Sequence, residues 1–325
     1  MSLRRIWLAA LVSLALSHVS LAQVLYQEDF DTDPSASWQF NSYLLGNSAD
    51  FFFDYSTVGV PPAPGGSSTR GMKITANVGA GNLSGGSASP IGLSLPDEYV
   101  LTAYVWQNSL GPFPGGGSGS TQITNASVGV TGTDNEFAAG TITGVQVGAT
   151  AEGGSSVDWR AYSALMPNGA GGALNTTNTP AVYPAGSQNN SATYYTAAFA
   201  GQTPPVAQTL LYASQTGATA AGTPGFEWNL WEITKTLSSI SWKINGTEFA
   251  TIDSSLYPAT FGGNNIAFGQ ADINSTSSTS PDAGALIFGL VDNITVTAVP
   301  EPGSLTMGLS VLGLAGAAWR RSRRG

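Results

Sequence analysis

The chain predicts an all-β sandwich carried between two sorting segments, and three observations support this. Between residues 23 and 298 no apolar pattern of helical period runs for any length. Short runs rich in β-branched and aromatic residues stand there instead, broken by Gly, Pro, Asn and Ser clusters, the pattern of sandwiches and barrels. Each end of the chain carries an apolar segment flanked by arginine, the form of an export or anchoring signal.

Taken in order, residues 1–22 form a signal peptide. Met1 to Arg5 is basic, residues 6–16 are apolar, and Ser20-Leu21-Ala22 is a small-x-small cleavage site before Gln23. The body, 23–298, reads as one domain. Its clearest strand is 98–107, where Tyr99, Leu101, Ala103 and Val105 line one face and Val100, Thr102, Tyr104 and Trp106 the other. Residues 51–58, 72–78 and 141–147 are further strands. Residues 226–236, 240–245 and 247–252 read as a meander with Asn245-Gly246 as a hairpin turn. Residues 286–297 close the domain, and 61–68, 111–120, 167–190 and 213–225 read as long loops.

Residues 299–325 are a second signal. Pro300-Glu301-Pro302 precedes an apolar run that ends at Trp319, followed by Arg320, Arg321, Arg323 and Arg324. As a helix, 303–319 rises about 25 Å, slightly short of a ~30 Å hydrocarbon core. The four arginines act as a membrane stop that stays cytoplasmic, leaving the body outside.

Composition excludes several chemistries. The chain has no cysteine, and its one histidine, His18, lies in the signal peptide. Ser-His-Asp and Cys-His nucleophiles, Cys/His zinc sites and disulfides are therefore absent from the body. Five cations, Arg70, Lys73, Arg160, Lys235 and Lys243, stand against 19 carboxylates there. Nucleic acid is excluded as a partner, because phosphate recognition needs clustered cations.

Two carboxylates suffice for glycan hydrolysis if they lie about 5–9.5 Å apart. Glu227 and Glu232 differ by five positions and fall on opposite strand faces. Asp50 and Asp54 share a face, but roughly 13 Å apart. The body is therefore expected not to be an enzyme, with no catalytic residues. Asp29, Asp31 and Asp33 alternate, but Pro34 and Phe40 occupy positions where an EF-hand requires Gly and Glu. Asp29 and Asp31, with Asp292 from the last strand, remain candidates for a structural calcium ion, set against plain solvated acids. No other cofactor is expected. Tyr104 and Trp106 are candidates for sugar stacking, set against a place in the core, and Trp159 and Tyr162 are further candidates.

The tail resembles the PEP-CTERM sorting signal of Gram-negative bacteria, with its three parts in order. That resemblance implies processing by an exosortase, with Pro300, Glu301 and Pro302 as the recognition element. It also implies transient anchoring in the inner membrane, then display at the cell surface or in the extracellular matrix. The body resembles a concanavalin-A-like, laminin-G-like jelly roll. The carrying residues are Glu28-Asp29-Phe30-Asp31, Trp231 to Thr236, Ser241 to Gly246 and Phe288 to Val296. Members of that fold bind sugars or calcium, and others hydrolyse glycans. The expectation is a non-catalytic structural or adhesive surface protein, with exopolysaccharide or other glycans as candidate partners. A carbohydrate-binding module is the alternative, and a glycan hydrolase the third reading.

Overall fold

The computed structural model describes residues 22–299 apart from 80, 116–120, 137–141, 164–181, 257–262 and 275. In chain order the strands are β1 (Val24–Glu28), β2 (Trp38–Tyr43), β3 (Ser48–Asp54), β4 (Arg70–Thr75), β5 (Ser84–Pro90), β6 (Tyr99–Asn108) and β7 (Gln122–Val130). They continue as β8 (Val145–Thr150), β9 (Trp159–Ser163), β10 (Trp228–Lys235), β11 (Ser239–Ile244), β12 (Thr247–Asp253), β13 (Asn265–Asp272) and β14 (Phe288–Ala298). Three short helices lie among them: α1 (Thr193–Ala198), α2 (Val206–Leu211) and α3 (Ala283–Leu286).

The strands make two antiparallel sheets packed as a jelly-roll-type sandwich. One has eight strands in the order β12-β11-β10-β6-β14-β4-β3, with β1 pairing β14 where β4 leaves off. The other has six, β2-β5-β13-β7-β8-β9. Alternation dictates the eight-stranded sheet. Tyr99, Leu101, Ala103 and Val105 of β6 all face the core, as do Trp231 and Ile233 of β10 and Ile240, Trp242 and Ile244 of β11. The expected meander is present. Asn245 (φ 50°) and Gly246 (φ 81°) take the left-handed conformation that a two-residue hairpin turn requires.

The six-stranded sheet is built differently. One row, Phe40–Ala88–Phe268–Ala126–Val147–Ala161, crosses all six strands and faces the core. Its strands are rich in Gly, Ser and Ala because neighbours approach closely. A Cβ on Gly86 would come within 2.3 Å of the Phe40 ring. Strands β2, β5, β7, β9 and β13 were not among those expected from the sequence. In β5, β7 and β13 every residue is buried, so no alternation marks them as strands.

The body also contains helix, contrary to the expectation. Helices α1 and α2 have six residues each, too few to display a 3.6-residue period. Helix α1 carries Tyr195 into an aromatic cluster that joins the two sheets. Trp159 of β9 stacks on Tyr195 (5.1 Å between centroids) and Phe199 (5.7 Å), and meets Phe249 of β12 (4.4 Å) and Trp242 of β11 (5.8 Å). Its indole nitrogen makes no hydrogen bond, so Trp159 contributes through packing alone. Trp159→Ala is expected to lower unfolding free energy by about 3–5 kcal/mol in denaturant titration. A loss below about 1 kcal/mol would mean that the cluster does not hold the sheets together.

Candidate functional site

The outer face of the six-stranded sheet carries the chemistry. One step from the apolar core row, Asn41, Ser87, Gly269, Asn125, Gly148 and Arg160 stand opposite one another across the six strands. A parallel row holds Ala267, Ser127, Gln146 and Tyr162. The face is thus amide, hydroxyl and guanidinium, with Ser87, Asn125, Ser127, Gln146, Arg160 and Tyr162 buried and Gly148 and Gly269 closely packed by their neighbours. These groups are held in place by one another: Gln146 Nε2 donates to Asn125 Oδ1 (3.1 Å), and Arg160 Nη1 donates to the Tyr162 hydroxyl (3.0 Å).

Residues 132–136 strap one side of this face through backbone groups. The Gly132 carbonyl accepts from Gln39 Nε2 and from Asn41 Nδ2 (3.2 Å). Glu136 N–H donates to Ser87 Oγ (2.9 Å), and its carbonyl accepts from Gln146 Nε2. The Glu136 carboxylate accepts from Thr143 N–H at 2.7 Å, and burial still pushes its pKa up to about 6. Farther along, Arg160 is only 8% exposed, its Nε has no partner, and Ser89 Oγ is likewise unbonded. Unpartnered buried polar groups are costly, and these two are enclosed rather than open to solvent. Sequence reading singled out Tyr162 on this face and missed the rest. The signal was there as alternate polar residues at 125 and 127 and at 160 and 162, with Gln146 between them in the sheet.

The two stacking candidates part company. Trp106 is 1% exposed, sealed by Phe226 (6.4 Å) and Trp228 (5.8 Å) in a second apolar cluster with Tyr55, Phe113, Phe288 and Leu290. It is core, not a platform. Tyr104 stays partly exposed, with Leu230 and Asp292 as cross-strand neighbours. Trp159 is core as well, at the centre of the aromatic cluster.

Asp292 is buried, accepting from the Tyr55 hydroxyl (3.0 Å) and from Asn293 N–H (2.7 Å). Burial chiefly, then the nearby charges of Asp31 and Asp29, push its pKa up to about 7. Asp31 accepts from Ser67 Oγ, and Asp29 Oδ1 accepts from Asp31 N–H (3.1 Å). Three carboxylates in one neighbourhood suit a hard cation in donor chemistry. No group of three acid, His or Cys side chains converges as metal ligands among the described residues. Any further ligands would be backbone or hydroxyl oxygens.

Pro300, Glu301, Pro302 and Arg320, Arg321, Arg323 and Arg324 lie outside the described residues, as does the signal peptide through residue 21. No helix among the described residues is long and apolar enough to cross a membrane. The two ends of the body meet: Val24 of β1 pairs Thr297 of β14, and Ala298 N–H donates to the Gln23 carbonyl at 2.9 Å.

Residues 298–324 match the PEP-CTERM protein-sorting motif. That motif marks an exported protein, anchored in the membrane before an exosortase cleaves it and then displayed at the surface. No curated protein matches the chain in sequence. Among solved structures, the chain is similar to an endo-acting O-glycanase of the human gut microbiota (12% identity, TM-score 0.45, 86% of this chain and 100% of that one). It is similar also to the laminarinase catalytic domain of Thermotoga maritima (10%, TM-score 0.44, 86% and 99%). A third is a Bacillus subtilis protein of unknown function with a galectin-like fold (10%, TM-score 0.39, 85% and 96%). These findings correct the expectation that the body is not an enzyme, since glycan hydrolases stand among the matches. The likeness is one of architecture, and neither substrate nor catalytic residue carries over from it.

Buried acids set a pH dependence. At one end of the interior, Asp272 accepts from Asn77 Nδ2 (2.6 Å) and Gln122 Nε2 (3.3 Å), and burial pushes its pKa up to about 6. Glu152 is fully enclosed, with Oε2 unbonded, and burial pushes its pKa up to about 7. With folded values above the unfolded ones, the native state holds protons that the unfolded chain gives up. Stability is therefore full below about pH 4.5 and falls as pH rises through 6 to 7. Glu152 alone accounts for about 3 kcal/mol. Denaturation midpoints should be lower at pH 8 than at pH 5, and Glu152→Gln should flatten the profile. A stability that rises from pH 5 to pH 8 would refute this.

Proposed function

We propose that this chain is an exported surface protein whose sandwich holds a glycan against the outer face of the six-stranded sheet. The observation that carries the reading is the row Asn41–Ser87–Gly269–Asn125–Gly148–Arg160. Sugar recognition needs planar amides and hydroxyls that both donate and accept, fixed on a rigid scaffold, with room for a ring between them. Strand residues provide the rigidity. The space at Gly148 and Gly269 is filled by Thr124, Asn125 and Gly86, so room for a ring would come from the strap moving away. The strap already engages Asn41, Ser87 and Gln146 through its backbone, so sugar hydroxyls would take the same bonds as it lifts. The sorting motif supplies the setting: a signal peptide over 1–22 exports the chain and the body 23–298 folds outside. The segment 299–325 holds it at the inner membrane until exosortase acts, leaving it beside the glycans of the surface or matrix.

Full-length protein on a glycan array should retain a defined set of glycans, and Asn125→Ala with Gln146→Ala should abolish retention without lowering the melting temperature by more than a few degrees. An array with no retained glycan would sink the reading. In cells, Pro300→Ala with Pro302→Ala should trap the long membrane-bound form. Detection of an intact C-terminus in the mature wild-type protein would contradict the sorting route.

A calcium ion at Asp292, with Asp29 and Asp31, would relieve the buried carboxylate and pin the first and last strands. At a hundredfold excess over its dissociation constant it stabilises by about 2.7 kcal/mol. The shift should vanish in Asp292→Asn, whose calcium-free melting point should equal or exceed that of wild type. Identical wild-type melting curves in millimolar calcium and in EDTA would exclude the ion.

A further inference from the structure

A second site lies on the other sheet. At its β3–β4 edge, beside α3, the outer face opens into a cleft of about 380 Å³, within the ~300–1,000 Å³ range of small-ligand sites. Its floor is two cross-strand pairs on the same face, Ser48 opposite Thr75 and Asp50 opposite Lys73. The hydroxyls of Ser48 and Thr75 lie 2.8 Å apart. Opposite charges placed across a strand pair ordinarily attract and close. These do not: the ion pairs within 4 Å among the described residues are Arg70–Asp54 and Lys243–Glu232.

The Lys73 ammonium is instead drawn over the rings of Phe53 (4.5 Å) and Phe288 (4.9 Å), and it reaches the Gly284 carbonyl at 3.5 Å. Asp50 Oδ1 accepts from Phe52 N–H at 3.0 Å. The parted pair leaves a strong donor and a strong acceptor on a hydroxyl floor, with Phe53 and Val78 as apolar lining. Burial lowers the Lys73 pKa, and the charge of Asp50 opposes the shift.

The ligand class follows from the charges. An anion that met Lys73 would be repelled by Asp50, and a cation that met Asp50 would be repelled by Lys73. A neutral polyol satisfies both, donating one hydroxyl to the carboxylate and accepting from the ammonium with another. We infer that this cleft binds one neutral sugar residue, held between Asp50 and Lys73 over the Ser48–Thr75 hydroxyls. The site stands on the opposite sheet from the polar face and does not depend on it. Together the two would let one domain hold two glycan chains.

The test is ligand-observed NMR on full-length protein in a non-glycosidic detergent, with glucose, galactose and mannose as probes and glucuronate and glucosamine as charged controls. At least one neutral hexose should bind. Asp50→Asn and Lys73→Met should each weaken it tenfold or more with unchanged melting curves, and Lys73→Arg should restore part of the loss. Asn125→Ala with Gln146→Ala should leave it intact. The inference is overturned if no hexose binds, if glucuronate or glucosamine binds as well as the neutral sugars, or if the Asp50 and Lys73 variants bind like wild type. Loss of hexose binding in the Asn125 and Gln146 variant alone would overturn it while leaving the sheet-face reading in place.

Discussion

The architecture depends on β14. It runs eleven residues through the middle of the eight-stranded sheet, bonded to β6 on one side and to β4 and then β1 on the other. The change of partner happens at a bulge, where the register slips between Asp292 and Thr295 and Asn293 takes a left-handed φ of 50°. Before the bulge, Gly289 and Val291 face the core and Phe288 and Leu290 the outer cluster. After it, Ile294 and Val296 face the core. The bulge leaves Asp292 buried beside Tyr55, near the acids that follow β1. First and last strands, outer cluster and carboxylate neighbourhood are thus consequences of one inserted residue.

With no cysteine to cross-link them, the sheets are joined by burial and by a few hydrogen bonds across the interior. Gln107 Nε2 donates to the Ala149 carbonyl (2.7 Å), for example, and Gly129 N–H to the Tyr99 hydroxyl (3.1 Å). The burial is uneven. Around Trp159 the interior is aromatic. Toward β13 and β7 it is polar, with Thr124 Oγ1 donating to Gln270 Oε1 (2.8 Å) and Gln270 Nε2 to Gln122 Oε1 (3.1 Å). Gly289 makes this fit, since a Cβ there would come within 2.8 Å of Thr124. The aromatic end contributes stability through contact area. The polar end contributes less, because each internal bond replaces one to water, but it penalises any register in which an amide loses its partner.

How much of this was legible in the sequence differs between the sheets for a physical reason. In β6, β10 and β11 large apolar residues alternate with polar ones, so the period of two is visible. In β5 and β13 both faces are closely packed, and Ser-Gly-Gly-Ser-Ala-Ser-Pro carries no contrast between them. The sheet bearing the polar face was therefore the one the sequence concealed. Trp106 shows a different limit. Its strand face could be read, but the residues that seal it, Phe226 and Trp228, come from a segment far away in the chain. Asp292 was readable as a candidate, yet its burial depends on Tyr55 more than two hundred residues earlier. The charged pair at Asp50 and Lys73 shows a third limit, because register sets residues opposite one another and only side-chain packing decides whether they meet.

The position of β14 also suits the tail it leads into. Residues 303–319 follow its end by a few positions, so any pull between body and membrane enters the fold along this strand. Load along a strand bonded on both sides is borne in shear, with the backbone bonds from Thr295 to Ala298 toward β6 and from Ile294 to Thr297 toward β1 resisting together. A strand at the sheet edge would lose its bonds one at a time. Because β1 begins immediately after the expected cleavage site, the segment freed by signal-peptide removal lies along the strand that leads into the sorting motif. Its pairing closes the sheet at the corner where the tether pulls. The six-stranded sheet lies on the far side of the sandwich, so force on the anchor reaches its polar rows only through the packed core.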